Sequence, residues 1–516
     1  MKANTDFGNY LGIMIGYMIV LVMVLASAPA HATGVERLGD GSHLKVESLG
    51  QGLTSFGIDD LGTQSDQGWW VDARFRGGFA YDLDAMRFEL ELEGWTGQVL
   101  GDTTSLGTIR GEDTFQAPRD RFVDWFSILP QRASVEIQTD LGVVRLGHQS
   151  YGWGLGLLVQ DGSGARDFGI SMRNNLVERI AFGTKPFGAL ESAPSWLQNT
   201  TGFVAADLVF RDDNASLLAG DVAASAVVGL KVKESAWEFG IIESYRYQTD
   251  REDAGNPTEA APGVRVLTSD VYAKVPLLTD RERTLLSLES EVAYITGTTT
   301  RPYLDETFQD GARVQSLGAV TRLVYTPMSE LQMRLEAGYA SGDQDTRDAT
   351  YRVFTFHTDY QVGMVLFDQV LPMLTARSVD RIHDPELSKT APAATRFLVN
   401  QGTVRDTRYL YPVMSIRPTE DLSLTAAYLW AFRAADAVDP FQSGINGGYN
   451  LGFDGETLDS RELGQEVCLG ARYGFNSGDL RTTLIAEGAL FIPGAALTSV
   501  LGQNITLARA GFSLEW

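Results

Sequence analysis

From position 68 to its last residue, the chain repeats one pattern: about ten residues in which apolar and polar side chains alternate, followed by a turn or loop. Within the run 85–96, every second residue from 87 to 93 is charged and the residues between are apolar; the charged positions are Arg87, Glu89, Glu91 and Glu93. Successive side chains of a strand point to opposite faces. Each run therefore predicts a strand with one apolar face and one charged face.

Alternation of this kind also describes a soluble β-sandwich. Two details favour a membrane barrel instead. The apolar faces often end in an aromatic residue, where a membrane-interface girdle would lie, as at Tyr294, Tyr325, Tyr339 and Tyr473. The polar faces carry charges in mid-strand, which need a large wet surface. A closed barrel supplies that surface and leaves no unpaired edge in lipid. The predicted fold class is all-β, a closed antiparallel transmembrane β-barrel.

Eighteen runs qualify as strands, and the number is even, as single-chain bacterial barrels require. The run at 353–366 fits least well, so 16 strands is the alternative. Tight turns rich in Asp, Gly and Pro alternate with long connections, which indicates short turns on one side and long loops on the other. The predicted strands are 68–80, 85–96, 131–140, 142–150, 176–184, 201–210, 222–234, 236–247, 264–276, 284–297, 313–326, 330–341, 353–366, 404–417, 420–433, 461–474, 479–491 and 505–516.

The first residues have the features of an export signal. Lys2 supplies a positive charge, residues 11–28 are almost uninterrupted apolar, and Ala30-His31-Ala32 has the small-x-small pattern that signal peptidase reads. The alternative is a membrane anchor. We predict a signal peptide over 1–32, a short periplasmic leader over 33–67 that lacks a sustained pattern, and the barrel over 68–516.

The last run is typical of the closing strand of a bacterial outer-membrane barrel, which also addresses the chain to the barrel-assembly machinery. Phe512, Leu514 and Trp516 alternate with small or charged residues. An edge strand that ends in Trp by chance is the alternative. We take these three residues as the barrel-closing signal and expect the strand to pair with the one near 68–80.

Composition narrows the functional classes. The net charge of −24 excludes a nucleic-acid binder, which needs clustered cations. The single cysteine, Cys468, cannot form an internal disulfide, which argues against a small disulfide-stapled secreted domain.

The sequence offers only weak candidates for a catalytic site. His148 and Ser150 share a strand face but lie roughly 7 Å apart between Cα atoms, too far for an activated nucleophile. The row Glu89, Glu91, Glu93 fits a pore wall better than an acid/base pair, and Cys468 fits a small inward residue. We expect no enzyme activity, no cofactor and no metal site.

The charged faces are the candidate pore lining. Arg74, Arg76 and Arg87 are expected to oppose Asp72, Glu89 and Glu91, and Arg322 and Arg334 to neighbour Glu336, Glu289 and Glu291. Separate clusters of opposite sign would create a transverse field that orders water and favours polar solutes. The glycine-rich segment 152–157 is a constriction candidate through Trp153 and Leu155, or else a plain surface loop. The predicted pore-lining residues are Asp72, Arg74, Arg76, Arg87, Glu89, Glu91, Glu93, Arg145, Glu289, Glu291, Arg322, Arg334, Glu336 and Arg472.

Two stretches resemble the porin-like outer-membrane channels of the alginate-export type. One is the Gly-x-Glu strand 463–473 followed by Phe491-Ile492-Pro493-Gly494, and the other is Val144-Arg145-Leu146-Gly147-His148-Gln149. The chain departs from the family pattern at His148, where Arg is usual, and at Cys468, where Asp is common. The resemblance implies an outer-membrane channel. Alginate itself, a polyanion, needs a cationic path that this acidic chain does not offer.

Together these features predict a channel in the bacterial outer membrane for passive diffusion or export of polar solutes. The alternative is a non-conducting structural or adhesion barrel that acts through its extracellular loops. The expected partners are outer-membrane lipid, lipopolysaccharide, the barrel-assembly machinery and a polar small molecule or oligosaccharide.

Overall fold

The computed structural model of the chain describes residues 41–104, 106, 128–162, 166–171, 173–251, 263–281, 283–301, 311–384, 386–387, 398–400, 402–436, 439–458 and 460–516. The predicted signal peptide, 1–32, lies outside these residues. No helix within these ranges is long and apolar enough to cross a membrane.

Among the described residues, eighteen antiparallel strands form one closed sheet, which confirms the predicted fold class and strand number. A further strand of two residues, Thr350–Tyr351, pairs in parallel with one of them. The eighteen are β1 (Gly41–Leu53), β2 (Trp69–Leu83), β3 (Met86–Gly101), β4 (Ile128–Thr139), β5 (Gly142–Ser150), β6 (Leu176–Thr184), β7 (Thr200–Arg211), β8 (Val222–Lys233), β9 (Glu238–Thr249), β10 (Gly263–Asp280), β11 (Arg283–Thr299), β12 (Ala312–Met328), β13 (Leu331–Ala340), β14 (Thr407–Ile416), β15 (Leu422–Arg433), β16 (Glu462–Ser477), β17 (Leu480–Pro493) and β18 (Ile505–Glu515).

The first strand lies where the sequence predicted a periplasmic leader, so the predicted start of the barrel at 68 is wrong. β1 pairs with β2 on one side and with β18 on the other, with Lys45 opposite both Arg76 and Glu515. The closing strand therefore pairs with β1 and not with the strand near 68–80. The alternation of β1 is obscured because its inward positions mix polar and apolar residues: Leu49, which packs against Ile485, stands between Glu47 and Gln51.

The predicted strand at 353–366 is also wrong. Thr355 makes an isolated bridge to Arg405, and the stretch otherwise leaves the sheet. Phe354 and Phe356 are each 1% exposed because the stretch folds into the barrel interior and packs on both sides. The missed strand β1 offsets this one, which is why the total agrees, and the other seventeen predicted strands all exist.

Connections differ in length between the two rims of the barrel. At the turn rim, seven of the eight connections are short, for example 84–85, 140–141 and 478–479. The connection 185–199 is the long exception at this rim. At the loop rim lie the longest connections, including 102–127, 151–175, 341–406 and 434–461.

Helical segments within the described ranges are short and lie in the connections. They are α1 (Ser195–Gln198), α2 (Leu371–His383), α3 (Pro440–Ile445) and α4 (Thr498–Leu501), with a 3-10 turn at Leu217–Ala219 and a π turn at Leu366–Val370. α2 is the longest, and it packs against α3 and the π turn within the 341–406 connection.

The two faces of the sheet invert the usual arrangement of a soluble protein. Outward side chains are apolar or aromatic and solvent-exposed; Tyr473 is 45% exposed and Leu469 60%. Inward side chains include buried charges such as Glu89 and Arg145. An outer surface of this composition suits lipid contact, and aromatic residues such as Tyr325 and Tyr339 occupy strand ends on that face.

Candidate channel interior

A dense cluster of ion pairs covers the inner wall formed by β2 to β5. Glu89 is its centre: its carboxylate receives Arg145 Nη2 at 2.5 Å and Arg87 Nε at 3.1 Å, and Arg132 Nη1 lies 3.5 Å away. These side chains occupy every second position of adjacent strands, so the register brings them together inside the barrel. The inner wall here is charged but internally compensated.

Neighbouring pairs extend this cluster toward β1. Arg76 lies 2.6 Å from Glu93 and 3.4 Å from Glu91, whereas Arg74 pairs with Glu47 of β1. The sequence analysis missed Glu47 because it assigned β1 to the leader. Asp72 was expected to oppose an arginine, but its cross-strand partners in register are Leu49 and Gln98. Its carboxylate accepts hydrogen bonds from Gln51 Nε2 at 2.9 Å and Trp70 Nε1 at 3.1 Å.

A second group of charges lies on the inner wall of β10 to β13. Arg322 Nε lies 2.6 Å from Glu336, and Arg334 pairs with Asp167. Glu289 is the cross-strand partner of Arg322 in register, yet its carboxylate lies 2.8 Å from Lys274 Nζ. Cations and anions thus alternate within both wall clusters, and the predicted separation into clusters of opposite sign is wrong.

The connection after β5 enters the lumen as a first inward segment, residues 151–162 and 166–171. Trp153 Nε1 donates to Asp270 Oδ1 at 3.2 Å, and the backbone N–H groups of Leu155 and Leu157 donate to the Glu291 carboxylate, the latter at 3.2 Å. Gly154 has a φ of 58° in this turn, and any Cβ there would meet the Glu291 carboxylate, so the close approach requires glycine. The predicted constriction residues therefore lie inside the barrel, against β10 and β11.

The far end of the first inward segment reaches the opposite wall. The backbone N–H of Gly169 donates to both carboxylate oxygens of Glu487, at 2.8 and 2.9 Å, and Arg472 Nη2 donates to the Gly169 carbonyl at 2.7 Å. Because Glu291 is on β11 and Glu487 is on β17, the segment crosses the lumen.

The long connection after β13 supplies a second inward segment, residues 352–384. The Glu466 carboxylate of β16 accepts the backbone N–H groups of Met364 at 2.5 Å, Val365 at 3.0 Å and Leu366 at 3.0 Å. Glu466 is fully buried. Wall carboxylates that look like pore lining in the sequence therefore serve as anchors for backbone N–H groups.

Tyr360 ties the second inward segment to β12 and β13. Its hydroxyl donates to Glu336 at 3.0 Å and accepts from Arg322 at 2.8 Å. Burial raises the pKa of Tyr360, with Arg322 acting in the opposite sense, so the hydroxyl keeps its proton and its role as donor.

The two inward segments share an apolar core with the barrel wall. Phe168 of the first segment, Leu366 and Phe367 of the second, and wall residues such as Tyr411 and Phe491 are all at most 1% exposed. The sequence carried a signal for this core, because the inward positions of β14 include Tyr409, Tyr411 and Val413. Part of the lumen is thus filled by protein.

Cys468 lies behind the second inward segment. The thiol is fully buried and its Sγ lies 3.0 Å from Glu466 Oε1, to which it donates. This agrees with the small inward residue predicted from the sequence. His148, by contrast, points to the outer face, where its Nδ1 lies 2.7 Å from Glu178 and its ring packs on Phe210.

We expect Cys468 to resist labelling by a maleimide in the folded, lipid-embedded protein, because the thiol is buried against Glu466. Mass spectrometry before and after denaturation checks this. Ser499→Cys in a Cys468→Ser background is the control, since Ser499 is exposed at the loop rim. Equal labelling rates for the two cysteines would contradict the buried position.

No three His, Cys, Asp or Glu side chains in the described part of the chain are grouped so that they could hold a metal ion. No family model matches the sequence, and no curated protein matches it. Among solved structures, the chain is similar to the outer membrane protein OprD from Pseudomonas aeruginosa, at 11% identity over 96% of this chain and 97% of that one, with a TM-score of 0.44. It is also similar to OccD3 (OpdP) from the same organism, at 9% identity over 94% and 93% with a TM-score of 0.47, and to OccAB4 from Acinetobacter baumannii, at 8% identity over 92% and 98% with a TM-score of 0.45.

Proposed function

We propose that this protein is a channel of the bacterial outer membrane that lets polar solutes diffuse passively through a charged lumen. One observation carries the proposal: the sheet closes on itself with an apolar, aromatic outer face and a charged inner face. Closure satisfies the backbone hydrogen bonds of every strand within the protein, which lipid demands. Barrels of eighteen strands are wide enough to hold an aqueous path.

The same geometry supports the proposed partners. Outer-membrane lipid would contact the exposed apolar face, and lipopolysaccharide would contact the loop rim. The barrel-assembly machinery would recognise β18 together with Trp516, which directly follows it. Phe512, Leu514 and Trp516 lie on the outer face, with Trp516 71% exposed.

The residues on the two walls would set the solute class. The inner-face positions of Arg76, Glu93 and Arg322 and of the other charged inward residues support a pore-lining role for them. Trp153 and Leu155 would narrow the path. Ion pairing leaves the walls polar but without a run of uncompensated cations, which suits a polar small molecule or a short oligosaccharide. Membership of the alginate-export type stays a prediction that rests on the two sequence stretches.

Liposome swelling with sugars of graded size tests passage directly, and swelling that falls off with sugar size is the expected result. In planar bilayers we expect a mild preference for cations, because the chain carries an excess of acidic residues. Empty liposomes that receive heat-denatured protein serve as the control. A strong preference for anions would contradict the selectivity, and the lack of any swelling or conductance would contradict the channel.

The alternative is a non-conducting barrel that acts through its loops. It is favoured by the apolar core inside the lumen, in which Met364, Val365 and Leu366 are fully buried. The same swelling experiment separates the two functions, since a filled barrel gives no swelling with even the smallest sugar.

A further inference from the structure

A cavity opens at the loop rim between the inner wall of β8 to β12 and the two inward segments. Its empty volume is about 1910 Å³, including the mouth that opens to solvent. The lining surface is predominantly apolar and includes Val227, Ile242, Val266, Ile295, Val314 and Phe356. Concave, mostly apolar surfaces with a few polar groups are the usual form of a small-molecule site.

The cations of the cavity lining have partners within the protein. Arg246 Nη1 lies 2.5 Å from Asp212, and Arg301 Nε lies 3.0 Å from Asp250. Arg405 donates to the Tyr351 hydroxyl at 3.2 Å. An anionic ligand would have to displace these partners, so the lining favours an uncharged one.

Two buried polar groups of the lining lack a hydrogen-bond partner. They are the Ser316 hydroxyl and His357 Nε2, on side chains that are each 2% exposed. His357 Nδ1 accepts the backbone N–H of Asp359 at 3.0 Å, so the neutral ring carries its proton on Nε2. The nearest carboxylate, Asp213, is 4.0 Å from Nε2, beyond hydrogen-bond distance.

An unsatisfied buried donor and an unsatisfied hydroxyl are each costly, and a group that can both donate and accept satisfies either of them. A hydroxyl group does both.

We propose that this cavity binds a small uncharged molecule with an apolar body and a hydroxyl group. The hydroxyl accepts from His357 Nε2 or bonds Ser316 Oγ, and the apolar body packs on the aliphatic lining. As the first binding position for a solute of the channel, the site rests on the proposed function.

The test uses 2-naphthol as the probe, with 2-naphthoate and 2-methylnaphthalene as matched molecules that change the hydroxyl to a charge or a methyl group. Titration calorimetry on the full protein in lipid nanodiscs, corrected with empty nanodiscs, measures binding. We expect saturable binding of 2-naphthol and at least fivefold weaker binding of the other two. Equal binding of all three would overturn the proposal without any variant.

Variants then locate the hydroxyl contacts. At least one of Ser316→Ala and His357→Ala should weaken 2-naphthol binding by about three- to tenfold, the loss expected for one hydrogen bond. Ser290→Ala is the matched control, because Ser290 is on the outer face of β11 with its hydroxyl beside Thr321. Unchanged binding in both cavity variants, or an equal loss in Ser290→Ala, would overturn the assignment.

Conductance measured without 2-naphthol distinguishes a failure of this inference from a failure of the proposed function. A protein that conducts but does not bind 2-naphthol would refute the binding site and leave the channel function standing. A protein that binds 2-naphthol but does not conduct keeps the site and refutes its role in passage.

Discussion

Replacement of Glu466 by alanine is expected to raise the single-channel conductance several-fold. The carboxylate is fully buried and accepts three consecutive backbone N–H groups of the second inward segment. Hydrogen bonds to a charged group contribute about 1.5–3 kcal/mol each. Without this anchor the segment leaves three donors unsatisfied, so its inward position weakens and water enters the lumen. Planar-bilayer recording measures the change.

Two comparisons make this result specific. Glu466→Gln keeps one oxygen that can accept, and it should fall between wild type and Glu466→Ala. Glu462→Ala, on the same strand, removes a carboxylate that bonds Trp430 Nε1 at 2.9 Å on the outer face, and should leave conductance unchanged. Maleimide labelling of Cys468 should become measurable in Glu466→Ala. Conductance and labelling that both stay at the wild-type level would show that Glu466 does not hold the segment.

Replacement of Glu89 by alanine is expected to lower the free energy of unfolding by about 3–5 kcal/mol, the cost of leaving buried charges without their partner. Arg145 is 1% exposed and Arg87 7%, and both donate to Glu89. Urea unfolding in lipid vesicles, followed by tryptophan fluorescence, measures the loss.

The control for this prediction is Glu515→Ala. Glu515 lies 3.0 Å from Lys45, but its side chain is 49% exposed, so removing it should cost about 0–1 kcal/mol. Similar losses for Glu89→Ala and Glu515→Ala would mean that the inner wall is as well hydrated as the rim.

Most of the barrel follows from residue alternation, because lipid on one side and a polar interior on the other impose a period of two on each strand. The exceptions are the places where the interior is not polar. β1 was missed because Leu49 points inward to an apolar part of the lumen. The stretch 353–366 was predicted as a strand because Phe354 and Phe356 alternate with polar residues, but they do so to pack an inward segment.

The charged inner wall was predictable from the sequence, but the contacts of its individual carboxylates were not. Inward positions of Glu89, Arg145 and Glu336 follow from the strand period. The anchoring role of Glu291, Glu466 and Glu487 does not follow from the strand period, because these carboxylates accept hydrogen bonds from backbone N–H groups of segments distant in sequence. Met364 and Glu466 are separated by 102 positions, and no local pattern joins them.

The seam between β1 and β18 has a consequence for biogenesis. Thr54 and Thr506 share a hydrogen bond of 2.5 Å although they are 452 positions apart, and Leu44 and Trp516 exchange both backbone hydrogen bonds. One edge of β1 therefore keeps its backbone hydrogen-bonding groups unpaired until β18 has formed. Long-range pairing of this kind is slow because the conformational entropy of the long loop is lost before the contacts between the two strands form. We expect assembly intermediates to be open sheets that lack this seam, and the seam to be the last contact made.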